Sequence, residues 1–330
     1  MSVVSDFSIQ AGKPQGFPVF LKRRFFSKNA FIKGSARICA ASTVLMMIAI
    51  VVVLTIAAWP AFDKFGFSFF ITDAWNPAKE KFGALQAIHG TLITAFLSLV
   101  FALPVGFGIA FFLTELSPPA LVKPLRVAVE LLAGIPSIVF GFWGLFVLAP
   151  LFQKHVQPFL IDHVSGVPIL GRFFTGPGFG VGILTAGCVL AIMILPFLTA
   201  FLTDVFKTVS PLLKESAYAL GATRWEVLKS IVTPSTGASI MGGIMLALGR
   251  ALGETMAVTF VIGNAHRMTS SLLAPGTTIS ASIANEFNEA TGDLHTASLL
   301  ALGLTLFIIT FIVLASGKAI LMLLANKKES

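Results

Sequence analysis

The sequence predicts an all-α, polytopic membrane protein with six transmembrane helices. Three observations carry that expectation. Of 330 residues, 56% are hydrophobic and 12% charged, and the mean hydropathy is +0.90, whereas a soluble domain carries roughly 25% charged residues. Six runs of mostly apolar residues approach the ~20 that an α-helix, rising about 1.5 Å per residue, needs to cross about 30 Å of hydrocarbon. The period-two alternation of a membrane β-strand is absent, which leaves helices as the structures that satisfy their own backbone groups in lipid.

In chain order, residues 1–35 come first, rich in Gly, Pro and scattered Lys and Arg. They read as a basic tail lying against the membrane surface. They do not read as a cleaved leader, because no apolar core precedes a small-residue cleavage site. Residues 36–330 read as one transmembrane domain, with spans near 38–59, 88–113, 128–150, 179–203, 236–263 and 297–324. An even number of spans puts both termini on one side. Of the 23 Lys and Arg, 16 fall in the segments of that side and six in the opposite loops, while Arg250 lies inside a span. Cytoplasmic segments hold the positive excess, so both termini are expected in the cytoplasm. The net charge of +8 then reflects topology and contact with anionic membrane lipid rather than nucleic acid.

The opposite loops, near 60–87, 151–178 and 264–296, are long enough to form a docking surface. Cys39 and Cys188 fall within spans, so no disulfide framework or zinc spacing exists. The five histidines are scattered along the chain, and none forms a metal-binding pair at helical spacing.

Within the third span, Gly134-Ile135-Pro136 predicts a break or kink, since proline removes a backbone bond and clashes with the preceding turn. Arg126 and Glu130, at i and i+4, stand at its cytoplasmic end. They read as an interfacial ion pair or, together with Pro136, as a gate.

Between the fourth and fifth spans, residues 210–234 are not loop-like. Ser210-Pro211 signals a helix start, and Leu212, Leu213, Ala217 and Leu220 give a helical apolar stripe. Gly221 supplies a stop, and Thr223 to Glu226 has the form of a capping box that restarts a helix. Trp225, Leu228 and Val232 share a face of that second helix, which Pro234 is expected to close. Periodicity alone fits equally an amphipathic connector resting on lipid.

The stretch "ESAYALGATRWEVLKSIVTP" resembles the EAA loop of bacterial ABC importer permeases, with Glu215, Ala217, Gly221, Ile231 and Pro234 at the family spacing. Ser216 and Thr233 depart from that pattern without upsetting helix–Gly–helix geometry. The resemblance implies the type I (MetI-like) permease fold. It makes 210–234, with Trp225, the coupling segment that seats in a separate ATPase subunit. "ELLAGIPSIVFGFWGLF" and "GIMLALGRALGETMAVTFVIGN" are similar to the permeases of phosphate-specific importers, the second especially to the C type. This implies a homologous A-type permease, an ATPase dimer and an external phosphate-binding protein as partners.

The bare residues agree with a subunit that is not itself an enzyme. No GxxxxGK[ST] phosphate loop occurs, and no Ser/His/Asp or thiol–His arrangement suggests covalent chemistry. No cofactor or metal is expected on this chain, and ATP would be bound by the partner ATPase. The remaining classes are a permease for another oxyanion (sulfate or molybdate), an ion-coupled secondary transporter, and a membrane sensor or scaffold.

The fifth span holds the one charged pair expected deep in the membrane, in "LALGRALGETM". A charge there costs at least about 2.5–3.5 kcal/mol. Glu254, four residues beyond Arg250, is expected on the same helical face, although glutamate before arginine would suit the helix better. Gly249 and Gly253, with Ala247 and Ala251, form small-xxx-small rows that predict close helix packing. Two readings stand. The pair is a structural ion pair pinning this helix to a partner permease, or it lines the substrate pathway, with Arg250 meeting phosphate through its bidentate fork.

Overall fold

The structure is a computed structural model that describes residues 19–168 and 170–329. Among the described residues there is no β-strand, and six helices are long and apolar enough to cross a membrane. Contacts divide the chain into two units, Met1–Val53 and Leu54–Ser330. In the first, the described residues belong to α1 (Val19–Phe65), and none of the described side chains there is buried. The tail expected over 1–35 is thus helical from Val19 onward, while residues 1–18 lie outside the described residues.

In the second unit the order is α2 (Leu85–Leu116), α3 (Pro119–Ala133), α4 (Ser137–Val164) and α5 (Ile183–Lys207). These are followed by α6 (Pro211–Ala219), α7 (Arg224–Leu252), α8 (Met256–Val261), α9 (Ile279–Glu286) and α10 (Asp293–Glu329). The core is built on α5. Leu190, Ile194, Leu198, Leu202 and Phe206 recur every fourth residue, and all are fully buried. That spacing keeps one ridge facing inward along the helix. Helix α2 meets it with Ala95, Ala102 and Ala110, and Phe107 meets Phe206 edge-on at 5.2 Å. Lipid is as apolar as leucine, so such contacts hold by close packing rather than by escape from water. A second cluster joins Ala58 and Ala61 of α1 to Phe69, Phe82, Leu299 and Leu302.

Two spans differ from the expectation for one shared reason, the handling of proline and glycine. The third was expected at 128–150, but α3 ends at Ala133 and α4 starts at Ser137. Pro136 takes an extended ψ of 138° at the break, and no side chain of α3 is buried. Helix α4 instead continues to Val164 past Gln153, Lys154, His155 and Gln157, whose polarity lowers the hydropathy there. The fifth span was expected at 236–263, but α7 ends at Leu252 and α8 begins at Met256.

Some other prolines follow a π-helical turn, inside a helix at Pro150, Pro158 and Pro234 and just past the end of α2 at Pro118. Four π-helical turns, Phe112–Leu116, Gly144–Leu148, Phe152–Val156 and Leu228–Val232, are each followed two residues later by a proline: Pro118, Pro150, Pro158 and Pro234. A proline ring clashes with the carbonyl four residues back. The wider turn, closed by bonds such as Thr233 N–H to the Leu228 carbonyl, moves that carbonyl aside. Pro234 therefore does not close the second coupling helix, which runs on into the membrane as α7.

Candidate functional site

Residues 210–234, expected to be the coupling segment, are assembled from local rules. Helix α6 begins at Pro211, with Ser210 in the cap position but making no side-chain cap bond. It ends in a left-handed reversal at Gly221, φ +89°. Gly221 N–H donates to the Tyr218 carbonyl at 2.9 Å and Ala222 N–H to the Ala217 carbonyl at 3.1 Å. This is the paired closure that a glycine permits without steric cost. The capping box forms as expected: Glu226 N–H donates to Thr223 Oγ1, and Thr223 N–H to Glu226 Oε2 at 2.7 Å. Leu228 and Val232 are buried, and Ala217 and Ile231 pack against the core. Glu215 and Pro234 are exposed. Leu212 is 70%, Trp225 60% and Leu220 89% exposed. The segment thus roots one face and leaves an apolar face uncovered.

Residues that sequence reasoning missed do the rooting. Glu115, at the end of α2, accepts Lys214 Nζ at 2.6 Å and the Tyr218 hydroxyl at 3.2 Å. Its backbone carbonyl accepts Arg224 Nη1 at 2.7 Å, and Phe111 meets Trp225 edge-on at 6.0 Å. Burial, then the adjacent Glu115 carboxylate, pushes the Tyr218 phenol above its ordinary pKa. No pattern within one helix links positions 99 residues apart.

Nearby, Arg126 of α3 bonds Glu130 at 2.8 Å as expected, and also Asp204 of α5 at 3.0 Å. The Glu130 hydrogen bond, then the Asp204 charge, raises the Arg126 pKa further. All three side chains are solvent-accessible, so the network stabilises little by itself. Its effect is to clasp α3 to the end of α5.

Arg250 and Glu254 do not share a helical face, which corrects the expectation. Gly253 caps the end of α7, and Glu254 Oε1 accepts Ala257 N–H at 3.2 Å in the first turn of α8. Among the described residues, no ion pair joins Arg250 to Glu254. Arg250 is exposed in the last turn of α7, with its guanidinium 5.9 Å from the Phe197 ring centre. Ala247 and Ala251 are buried, and a Cβ at Gly249 would stand 3.5 Å from the Leu314 side chain of α10. Among the described residues a Cβ at Gly253 would meet only the Gly249 carbonyl oxygen, at 3.7 Å, and the residue caps the end of α7. Helix α8 is held on α4, where a Cβ at Gly141 would stand 2.8 Å from the Phe260 ring.

At the opposite end of the spans, histidines scattered in the sequence converge. Glu286 Oε1 pairs with His266 Nε2 at 2.7 Å, and Oε2 with His295 Nε2 at 2.9 Å and Trp75 Nε1 at 2.8 Å. Trp75 stacks on His266, and Phe82 on His295. Burial pushes the Glu286 pKa up, but the bonds from His266, Trp75 and His295 together outweigh it and bring the carboxyl down to about 2.

The family described as the binding-protein-dependent transport system inner membrane component matches residues 102–321. The chain belongs to this family. The match runs from within α2 into α10, and so takes in Glu115, the coupling segment and the break after Arg250. A phosphate transport system permease protein PstC of Mesorhizobium japonicum is 56% identical, over 91% of this chain and 92% of that one. A protein of the same name from Pasteurella multocida is 51% identical, over 89% and 92%. Among solved structures, a bacterial ABC transporter involved in the import of the acidic polysaccharide alginate matches with a TM-score of 0.59. It is 19% identical, covers 90% of this chain and 98% of that one, and supports the fold alone. The six-helix architecture is thus that of an ABC importer permease, and this family member is a multi-pass inner-membrane protein.

Proposed function

We infer that this chain is the phosphate-conducting permease subunit of an ATP-binding-cassette importer. The observation that carries the reading is its 56% identity, over nearly its whole length, to a phosphate transport system permease. The chain pairs with a homologous A-type permease, rests on a dimer of ATPase subunits that bind the ATP, and receives phosphate from an external binding protein. Both termini are cytoplasmic. The uncovered face of the coupling segment supports an ATPase contact through Glu215, Gly221, Trp225 and Pro234, with Ala217 and Ile231 rooting the segment on the core behind it. We place the pathway at the break between α7 and α8, since interrupted helices present their ends to ions in many transporters. Arg250 supplies the anion contact there, and Glu254 lines the same break while holding the first turn of α8. Arg126, Glu130 and Pro136 lie where a cytoplasmic gate would open.

The test is reconstitution of the whole complex in vesicles, with binding protein loaded with phosphate, sulfate or molybdate. Phosphate alone should stimulate ATP hydrolysis and enter the vesicles, and a protonophore should leave uptake unchanged. Equal uptake of sulfate would overturn the substrate, and uptake without ATP would overturn the class.

A further inference from the structure

The coupling segment is continuous in the chain with α5 on one side and α7 on the other, but α2 has no covalent connection to it. Beside the Phe111–Trp225 ring contact, the structure supplies a polar, noncovalent link to it at Glu115. The Glu115 carboxylate is 7% exposed and its partner Lys214 15% exposed, so the pair is largely withdrawn from water and screened little by salt. Lys214 Nζ also lies 3.4 Å from the Phe206 carbonyl at the end of α5. The third link follows from the sequence "ELSPP". The helical partners of the Glu115 carbonyl would be the N–H groups three and four residues on. Both positions, Pro118 and Pro119, are proline and have none. Arg224, first residue of the second coupling helix, fills the vacancy at 2.7 Å. Both halves of the coupling segment thereby close on one residue of α2, through its side chain and its backbone.

We propose that Glu115 is a positioning residue of transport, through which movement of the coupling segment is passed directly to α2. The proposal rests on the reading of the chain as an ATP-driven importer subunit. A pair that only braced the fold would affect assembly. A pair that passes movement sets how much phosphate crosses for each ATP hydrolysed.

The experiment uses the assembled complex in vesicles with phosphate-loaded binding protein, measuring complex yield, ATP hydrolysis and phosphate uptake together. Glu115→Gln keeps the shape and removes the charge facing Lys214. Phosphate moved per ATP should fall roughly tenfold, within the usual range of coupling between sites, with the complex still assembled. Tyr218→Phe should give a smaller fall. Exchanging the pair, Glu115→Lys with Lys214→Glu, should recover part of the ratio. If uptake and hydrolysis fall together at an unchanged ratio, or an assembled exchanged pair recovers nothing, the proposal is overturned. Where Glu115→Gln yields no complex, Lys214→Met carries the same ratio test, and loss of complex in both also overturns it. Failure of the unaltered complex to take up phosphate with ATP would instead refute the importer reading on which the proposal stands.

Discussion

Arg250 and Glu254 illustrate how one residue changes the meaning of its neighbours. On an unbroken helix their order would oppose the helix dipole, but the stop at Gly253 makes the same order favourable at both sites. A cation sits at the C-terminal end of α7 and an anion just ahead of α8, where it accepts an N–H of the first turn. The charges were legible in the sequence as two that needed a purpose. The break was not, because the apolar pattern runs through it and one glycine rarely ends a membrane helix. Arg250→Lys keeps the charge and loses the bidentate fork. Uptake should fall roughly tenfold or more, as a charged hydrogen bond is worth about 1.5–3 kcal/mol, with complex yield preserved. Arg250→Gln should abolish uptake. Glu254→Gln retains an oxygen for Ala257 N–H, so assembly should persist while turnover changes. Loss of complex in step with uptake, across all three variants, would make both residues structural.

Among elements, the coupling segment was the most legible because its signals are local: a glycine stop, a capping box and an apolar stripe. Its continuation past Pro234 was hidden, since nothing in composition announces that a π turn will seat the ring. The Glu286 cluster was hidden for another reason. It gathers the loop at Trp75, the loop at His266, α9 and α10, which are joined only once the chain has folded. Its acid behaviour follows from the lowered pKa. The carboxyl titrates near 4.5 ordinarily and near 2 when folded. Its stabilisation is therefore fully present above the ordinary value and lost as pH falls through the folded one. Glu286→Gln should lower the thermal midpoint of the complex at neutral pH. The gap from the native protein should hold steady above pH 4.5 and narrow as the pH drops toward 2. A gap that stays constant throughout that acid range would show that the three bonds do not favour the ionised form.

At the scale of the whole molecule, the asymmetry of basic residues predicts an orientation before any helix is placed. It predicts that Lys229 and Arg267 lie on opposite sides. Single cysteines there, in a background lacking Cys39 and Cys188, should differ in intact cells: an impermeant thiol reagent should label position 267 and spare position 229. The reverse pattern would invert the topology. One further consequence lies in the length of α7. It runs without a loop through the 29 residues from Arg224 to Leu252, about 43 Å at the usual rise. Trp225 sits at its foot and Arg250 near its head. A bar of that length is a lever: a swing of about 5° at the foot carries the head by about 4 Å, more than the reach of a hydrogen bond. The ATPase contact and the anion contact proposed above would then be two ends of one continuous helix.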